Sequence, residues 1–416
     1  MTSPERRVRQ RVLVLTGIFP NRRNETWGIH VFQNVRALAA QADVRVVAPV
    51  PFVPEALARG RYRAFTGIPR EDEIGGIAVV YPRFFLVPKA GRFLHGYQLF
   101  ASIFATMKRE IRMFRPDALL AYFAFPYGHA AVLFGALFRI PVVISCRGGD
   151  INLMTAPKLQ GRLIARALRA SSRVWVMSGE MRAKALALGV DAARVDVIPN
   201  GVDAARFFPR RAGEARERLG IANDGRIVVC VSRLSHEKGI DVLVDAFARM
   251  QDAGARLFVV GDGVERDALA QRARERGAGA SITFAGTRPH DEIPWWLAAA
   301  DVVVLASRHE GMPNAVLEAL ASGRPVVATA VGGTRELVTD PALGRLVPPE
   351  DVDALAGALR DALSSSWDAR AIAASVAART WDEVGLHKAR SIALAAERRV
   401  PVGPGAAEDT WTAGTP

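Results

Sequence analysis

Two cysteines in 416 residues are too few for a disulfide framework. Cys146 and Cys230 each end a strand-like run, and no zinc-ligand spacing occurs, so the chain reads as one that works in a reducing compartment. Apolar runs are short, and none approaches the ~18–20 residues that span a bilayer. The opening "MTSPERRVRQRVLVLTGIFPNRRN" imitates a signal peptide. Its apolar run, however, leads to Pro-Asn-Arg-Arg and not to a small-residue cleavage site, so it is read as a first β-strand. A cytoplasmic protein is expected, with attachment to the inner face of the plasma membrane left open. No G-x-G-x-x-G follows that strand, which disfavours an NAD oxidoreductase. Lysine is scarce: six of the 55 basic residues, the remainder being arginine. Aromatic–basic interleaving of the RNA-binding kind is missing too. The formal charge of +13 is therefore assigned to a phosphorylated substrate or an acidic membrane face, and nucleic acid is not an expected partner. Oligomeric state is left open.

What the chain has in quantity is alternation. Half its residues are hydrophobic, and its length suits two domains. Short β-branched runs ("RVLVLTG", "DVRVVAP", "ALLAYFA", "PVVISC", "RIVVCVS", "RLFVVGD", "VVVLA", "PVVAT") alternate with helical patterns. Near-continuous apolar strands with intervening helices predict an α/β fold whose parallel sheets are covered on both faces. The pattern restarts after "IPNGVDAARFFPRR". This predicts a Rossmann-like domain over 1–207 and a second over 208–382. A closing helix over 383–400 is expected to pack back on the first domain, followed by a Pro/Gly-rich disordered tail over 401–416. In such sheets ligands bind beyond the C-terminal ends of the strands, so residues just after strands are the candidates.

Beyond "VVCVS" comes "RLSHEKGID". Arg233 and Lys238 share a loop that opens a helix, a natural anion site for a diphosphate. Gly261 and Gly263 in "VVGDG" allow either a close ligand approach or a plain tight turn, and Arg288 is placed beside a nucleotide base. In "RHEGMPNAVLEALASGRP", Pro313 is expected as the first residue of a helix that stops at Gly323. The N–H groups of Gly311, Met312, Asn314 and Ala315 would then face a ligand. Glu310 and Glu318 are acceptor-only groups suited to sugar and ribose hydroxyls. On the first domain, Gly28 opens a helix after strand one, and "RGGD" offers Arg147 and Asp150. His129 is read as a cap-region or buried histidine. Asp351 and Asp353, although they match a D-x-D metal pattern, are read as a helix cap and a first-turn acid, and no metal site is expected. The apolar and basic segment 84–114 is either a core-packed helix with a solvated basic face or a helix resting on anionic lipid.

Taken together, "VIPNGVDAARF", "VSRLSHEKGIDVLVDAF", "VVGDG", "ITFAG" and "ADVVVLASRHEGMPNAVLEALASGRPVVATAVGGTRELV" resemble, in order and spacing, the retaining glycosyltransferases of family 4, which have the GT-B fold. Glu310 and Glu318 match that family's E-x7-E. The resemblance implies a nucleoside-diphosphate sugar as donor substrate and no cofactor or metal. Arg233 and Lys238 would hold the diphosphate, Glu310 the sugar hydroxyls, Gly311 to Ala315 the sugar and phosphate through backbone, Glu318 the ribose, and Gly28 the diphosphate from across the cleft. Many members carry His-Gly-x-Asp where this chain has Arg147–Asp150. Arg147 would replace that histidine or bind an anionic group on donor or acceptor. The Arg-Gly-x-Asp form resembles transferases of the teichuronic-acid type, implying cell-surface polysaccharide assembly on a glycan or polyprenyl-linked acceptor. A nonhydrolysing nucleotide-sugar epimerase and a non-catalytic nucleotide-sugar-binding protein are the alternatives.

Overall fold

A computed structural model describes residues 9–25, 27–53, 65–85, 91–152, 154–155 and 158–397. The expected tail over 401–416 and the end of the closing helix lie outside these residues.

Two sheets carry the chain. The first has eight strands, in the order Val195–Val197, Arg173–Val176, Val142–Ser145, Ala118–Tyr122, Arg11–Leu15, Asp43–Val47, Ile77–Val80 and Glu71–Ile74. The second has six: Ile282–Gly286, Ala255–Val260, Arg226–Val231, Val302–Leu305, Val326–Thr329 and Gly344–Val347. All pairings in the second sheet are parallel, with registers such as Val228 opposite Val302 and Val303 opposite Val326. Strands such as Val302–Leu305 and Val326–Thr329 are buried along their whole length, as expected of valine runs sandwiched between helix layers.

The first sheet departs from the parallel expectation at one edge. Glu71–Ile74 pairs antiparallel with Ile77–Val80. Gly75 and Gly76, at φ 57° and 79°, make the two-residue hairpin between them. Its sequence, EDEI, has three acids and one β-branched residue, so it carries no strand signal of its own. A short second pair, Val50–Pro51 with Arg83–Phe84, was equally silent.

The helix Trp381–Glu397 returns to the first sheet's side of the molecule. Its Gly385 lies so close to Ala37, in the helix Ile29–Ala39, that a Cβ there would sit 2.2 Å from the Ala37 carbonyl oxygen. Trp175 Nε1 donates to Ser391 Oγ at 2.7 Å. The chain crosses between the sheets twice, and the two crossings pair: Val202 N–H donates to Arg379 O at 2.8 Å. The helix His95–Phe114 packs Leu99, Ile103, Met107 and Ile111 inward. Among the described residues, no helix is long and apolar enough to cross a membrane.

Candidate functional site

A cleft of about 710 Å³ lies between the C-terminal ends of the two sheets. On the second-sheet wall, Lys238 Nζ donates to Glu310 Oε1 at 2.6 Å, and Ser307 Oγ donates to the same oxygen at 2.7 Å. Glu310 is 9 % exposed, so this pair is largely shielded from solvent. The two loops that bring it together are pinned by Arg308, which the sequence reading passed over. Its guanidinium makes a two-pronged bond to Asp241 at 2.9 and 2.8 Å, and donates to Glu350 at 2.9 Å and to the His236 carbonyl at 2.7 Å. Those bonds to Asp241 and Glu350 raise its pKa further. Arg308 thus ties the Lys238 loop to the Glu310 loop. Arg233 is exposed on the same loop and lines the cleft.

The helix following Glu310 is Asn314–Ala321. Pro313 is its N-cap, with an extended ψ of 110°, and not its first residue; Asn314 takes that place. Met312, Pro313, Asn314 and Ala315 line the cleft. Gly311 lies just outside it, where a Cβ would stand 2.4 Å from Met177 Cε and 3.0 Å from Arg147 O. Glu318 faces the cavity with 8 % exposure, and burial pushes its pKa up to about 8. Its protonated form is therefore favoured near pH 7. Arg288 and Gly261 line the cleft, whereas Gly263 does not. A Cβ on Gly263 would sit 2.1 Å from Leu234 O, so that glycine serves chain packing. Asp351 accepts from Ala354 N–H at 2.9 Å as an N-cap, and Asp353 pairs with Arg249.

The first-sheet wall is built differently. Gly28 caps the helix Ile29–Ala39 at φ 73°, and a Cβ there would stand 2.7 Å from the Ile18 carbonyl carbon. Only glycine lets the helix start this close to strand one, and its edge lines the cleft. Asp150 does not face the cavity. Its carboxylate accepts from the N–H groups of Ala124, Arg147, Gly148 and Ile151 at 2.9–3.2 Å, bracing the loop beneath Arg147. Burial raises its pKa against the backbone hydrogen bonds it accepts, those from Ala124, Arg147 and Gly148 among them. Arg147, half-buried, lines the cleft and donates to Asn200 Oδ1 at 2.9 Å. His129 is buried away from it, edge-on to Tyr97 at 4.6 Å.

Behind Arg147 runs a chain of side-chain amides, of which only Asn314 was a candidate from the sequence, and that for its backbone N–H. Lys388, 2 % exposed, donates to Asn34 Oδ1 and to Tyr122 Oη. Burial depresses its pKa strongly. Asn34 Nδ2 donates to Asn200 Oδ1 at 3.2 Å, and Asn200 Nδ2 donates to Asn314 Oδ1 at 2.6 Å. Asn314 Nδ2 then meets His30 Nδ1 at 2.6 Å. Because Arg147 can only donate, it fixes Asn200 Oδ1 as the acceptor and so which way each amide points. The end of the chain follows: His30 Nδ1 must accept, so His30 is neutral with its proton on Nε2. Solvent reaches that ring through the cleft mouth. Even so, enclosure by the walls, with Arg147 and His290 beside it, lowers its pKa, in keeping with the neutral form. The chain joins both walls and the final helix. Its members come from four distant segments, and single asparagines inside helices and turns carry no pattern that would have flagged them.

Residues 28–206 match the family model described as Glycosyltransferase Family 4, and residues 212–379 match that described as Glycosyl transferases group 1. A Bacillus subtilis (strain 168) protein assigned to teichuronic acid biosynthesis as a glycosyltransferase is 32 % identical over 361 residues, covering 84 % of this chain and 88 % of its own. The chain belongs to glycosyltransferase family 4. This glycosyltransferase has the GT-B fold of its solved neighbours. Sucrose-phosphate synthase of Thermosynechococcus elongatus superposes with a TM-score of 0.71 at 22 % identity, over 94 % of this chain and 97 % of that one. The Anabaena protein HepE, solved in complex with UDP, superposes with a TM-score of 0.70 at 21 % identity, over 92 % and 99 %.

Proposed function

We propose that this glycosyltransferase moves a sugar from a nucleoside-diphosphate sugar to a glycan or polyprenyl-linked acceptor in cell-surface polysaccharide assembly, with retention of configuration and without a metal ion. The observation that carries the reading is one cleft in which Lys238 and Arg233 stand beside Glu310 and the N-terminus of the helix Asn314–Ala321. Lys238, Arg233 and the helix N-terminus hold the diphosphate and take up the charge that develops as the bond from the sugar C1 to the phosphate oxygen breaks. Two such cations occupy the role that a divalent ion plays elsewhere. Glu310, fixed by Lys238 and Ser307, accepts from the donor sugar's hydroxyls, and Glu318 from the ribose. The acceptor oxygen bonds to C1 on the face the diphosphate leaves, and its proton passes to the departing phosphate. Arg288 borders the base and Gly28 the diphosphate.

The donor class is supported by HepE of Anabaena, solved with UDP-glucose, and the pathway by the name of the Bacillus subtilis relative. Contact with the inner face of the plasma membrane is supported by Phe93, Leu94 and Tyr97 at the start of the helix His95–Phe114 and by Phe52 and Phe85, which pack together 4.9 Å apart beside Ser102 of that helix, all five being 37–64 % exposed. Cosedimentation with anionic liposomes at low and high salt tests that part; no binding in either sinks it. The reaction is tested by incubating the protein with UDP- and GDP-sugars and methyl glycoside acceptors. A new glycoside of retained anomeric configuration, lost in Glu310→Ala, is expected. An epimerised nucleotide sugar, or nucleotide sugars returned unchanged from every acceptor, would overturn it.

A further inference from the structure

The cations of the cleft are unequally occupied. Lys238 is held by Glu310, and Arg288 stands 3.8 Å from Glu292. Arg233 is exposed on the loop assigned to the diphosphate. Arg147 stands apart. Among the described residues its guanidinium makes one side-chain hydrogen bond, to Asn200 Oδ1, and lies 5.9 Å from the centre of the Tyr122 ring. Neither partner carries charge. Asp150 is close, but both its oxygens are taken by backbone N–H groups. A rigid amide thus holds one corner of a planar five-donor fork, and the remaining donors have no acid to meet.

The position of that fork narrows what it can serve. It projects from the first-sheet wall, opposite the diphosphate loop. Its own loop touches the sugar end of the second wall. A Cβ on Gly148 would stand 3.1 Å from Gly311 N, and Asn152 Nδ2 donates to Glu310 O at 3.2 Å. Arg147 therefore faces the region where the donor sugar and the acceptor meet. A fork of fixed geometry is matched two-to-two by a carboxylate.

We propose that Arg147 recognises a carboxylate on one of the two sugars that meet in the cleft, making this a transferase of acidic glycan. The inference rests on the nucleotide-sugar reading above and names the substrate class within it. A charge-assisted pair in this setting gives about 10- to 100-fold preference over the neutral sugar.

The test measures kcat/KM for matched pairs. One arm compares UDP-glucuronic acid with UDP-glucose as donor. The other compares methyl glucuronide with methyl glucoside as acceptor. The GDP-linked counterparts replace the UDP compounds if GDP is the nucleotide bound. Dissociation constants for the free nucleoside diphosphate are measured alongside, in wild type and in Arg147→Met. Support is a wild-type preference of at least about tenfold for the acid on either arm, levelled in Arg147→Met, with nucleoside-diphosphate affinity kept within about twofold. The arm that responds names the source of the carboxylate. If Arg147→Met shows no melting transition, Arg147→Lys is read the same way, and an undiminished acid preference there overturns the fork. A wild type that binds the diphosphate but prefers acid on neither arm overturns the inference alone. Loss of diphosphate affinity in the variant makes Arg147 a phosphate ligand and overturns it too. A wild type that binds neither UDP nor GDP overturns the nucleotide-sugar reading first, and the inference with it.

Discussion

The two walls of the cleft solve the same problem, holding polar groups in fixed positions at a domain boundary, by opposite means. The second-sheet wall uses opposite charges close together. Lys238 meets Glu310, and Arg308 clasps Asp241 and Glu350; all lie on loops that directly follow strands except Asp241, which is in the first turn of the helix after the Lys238 loop. The first-sheet wall uses neutral side-chain amides in series, from Lys388 through Asn34 to Asn200, which reaches Asn314 of the other wall and through it His30, with the Arg147 guanidinium, which has no acid partner among the described residues, at the centre. The charged wall suits a ligand of known, high charge. The amide wall keeps Arg147 in place without neutralising it, which leaves that charge available to a substrate.

The largest effect should come from the charged wall. Glu310→Gln keeps the shape, removes the charge and leaves Lys238 without its acid. A loss of about 10³-fold in kcat/KM is expected by steady-state assay. A loss below about tenfold would mean that Glu310 does not touch the reacting sugar.

On the amide wall, Asn200→Ala removes the shared partner of Arg147, Asn34 and Asn314 from a site only 2 % exposed. Activity should fall by about 10²-fold, and urea unfolding should show a loss of about 2 kcal/mol. If stability is unchanged, the amide series is not what holds this wall.

Glu318 sharpens the contrast through pH. Its folded pKa, raised to about 8 by burial, lies above the unfolded value of 4.5, so the folded state binds the extra proton between the two. Stability of the wild type therefore falls as pH rises from 4.5 towards 8 through this group. In Glu318→Gln that cost is gone, so the variant's melting temperature should gain on the wild type across this window and hold steady above it. A constant difference would place Glu318 outside the buried cleft. Ribose hydroxyls donate best to the charged form, so donor binding near pH 7 should release a proton, visible as a buffer-dependent binding enthalpy.

The smallest effect should come from Arg288→Ala. Its side chain is 40 % exposed at the rim, where it donates to Ala285 O, stands 3.8 Å from Glu292 and lies 5.5 Å from the centre of the Trp296 ring. A rise of a few-fold in donor KM is expected, with kcat and melting temperature unchanged. A larger loss in kcat would move Arg288 from the base to the reacting end.

These walls also differ in how readable they were. The charged wall was legible because chemistry and local pattern coincide there. Two strand–loop–helix units each carry a contiguous pattern, one with two cations in its loop and the other with a Gly-Met-Pro turn before the helix bearing Glu318, and position after a strand already assigns both to the cleft. Even so, Arg308 was passed over, because its partners lie 67 and 42 residues away in sequence. Gly263 and Asp150 were placed on the cleft by the same position rule. One in fact packs on the Leu234 backbone and the other braces a loop from below. The amide wall was illegible because its members come from the first helix, the crossing segment, the cleft helix and the closing helix. Only the returning helix Trp381–Glu397 brings Lys388 to Asn34. The edge strand Glu71–Ile74 stayed hidden for a simpler reason: its glycine turn, and not its side chains, makes it a strand.

If the charged wall grips a nucleoside diphosphate, Lys238 is the cation whose loss should show it. Calorimetric titration of UDP and GDP into wild type and Lys238→Ala tests it most directly. Binding of at least one of the two to wild type, weakened tenfold or more in the variant, is the predicted result. Equal affinity in the two proteins would contradict it.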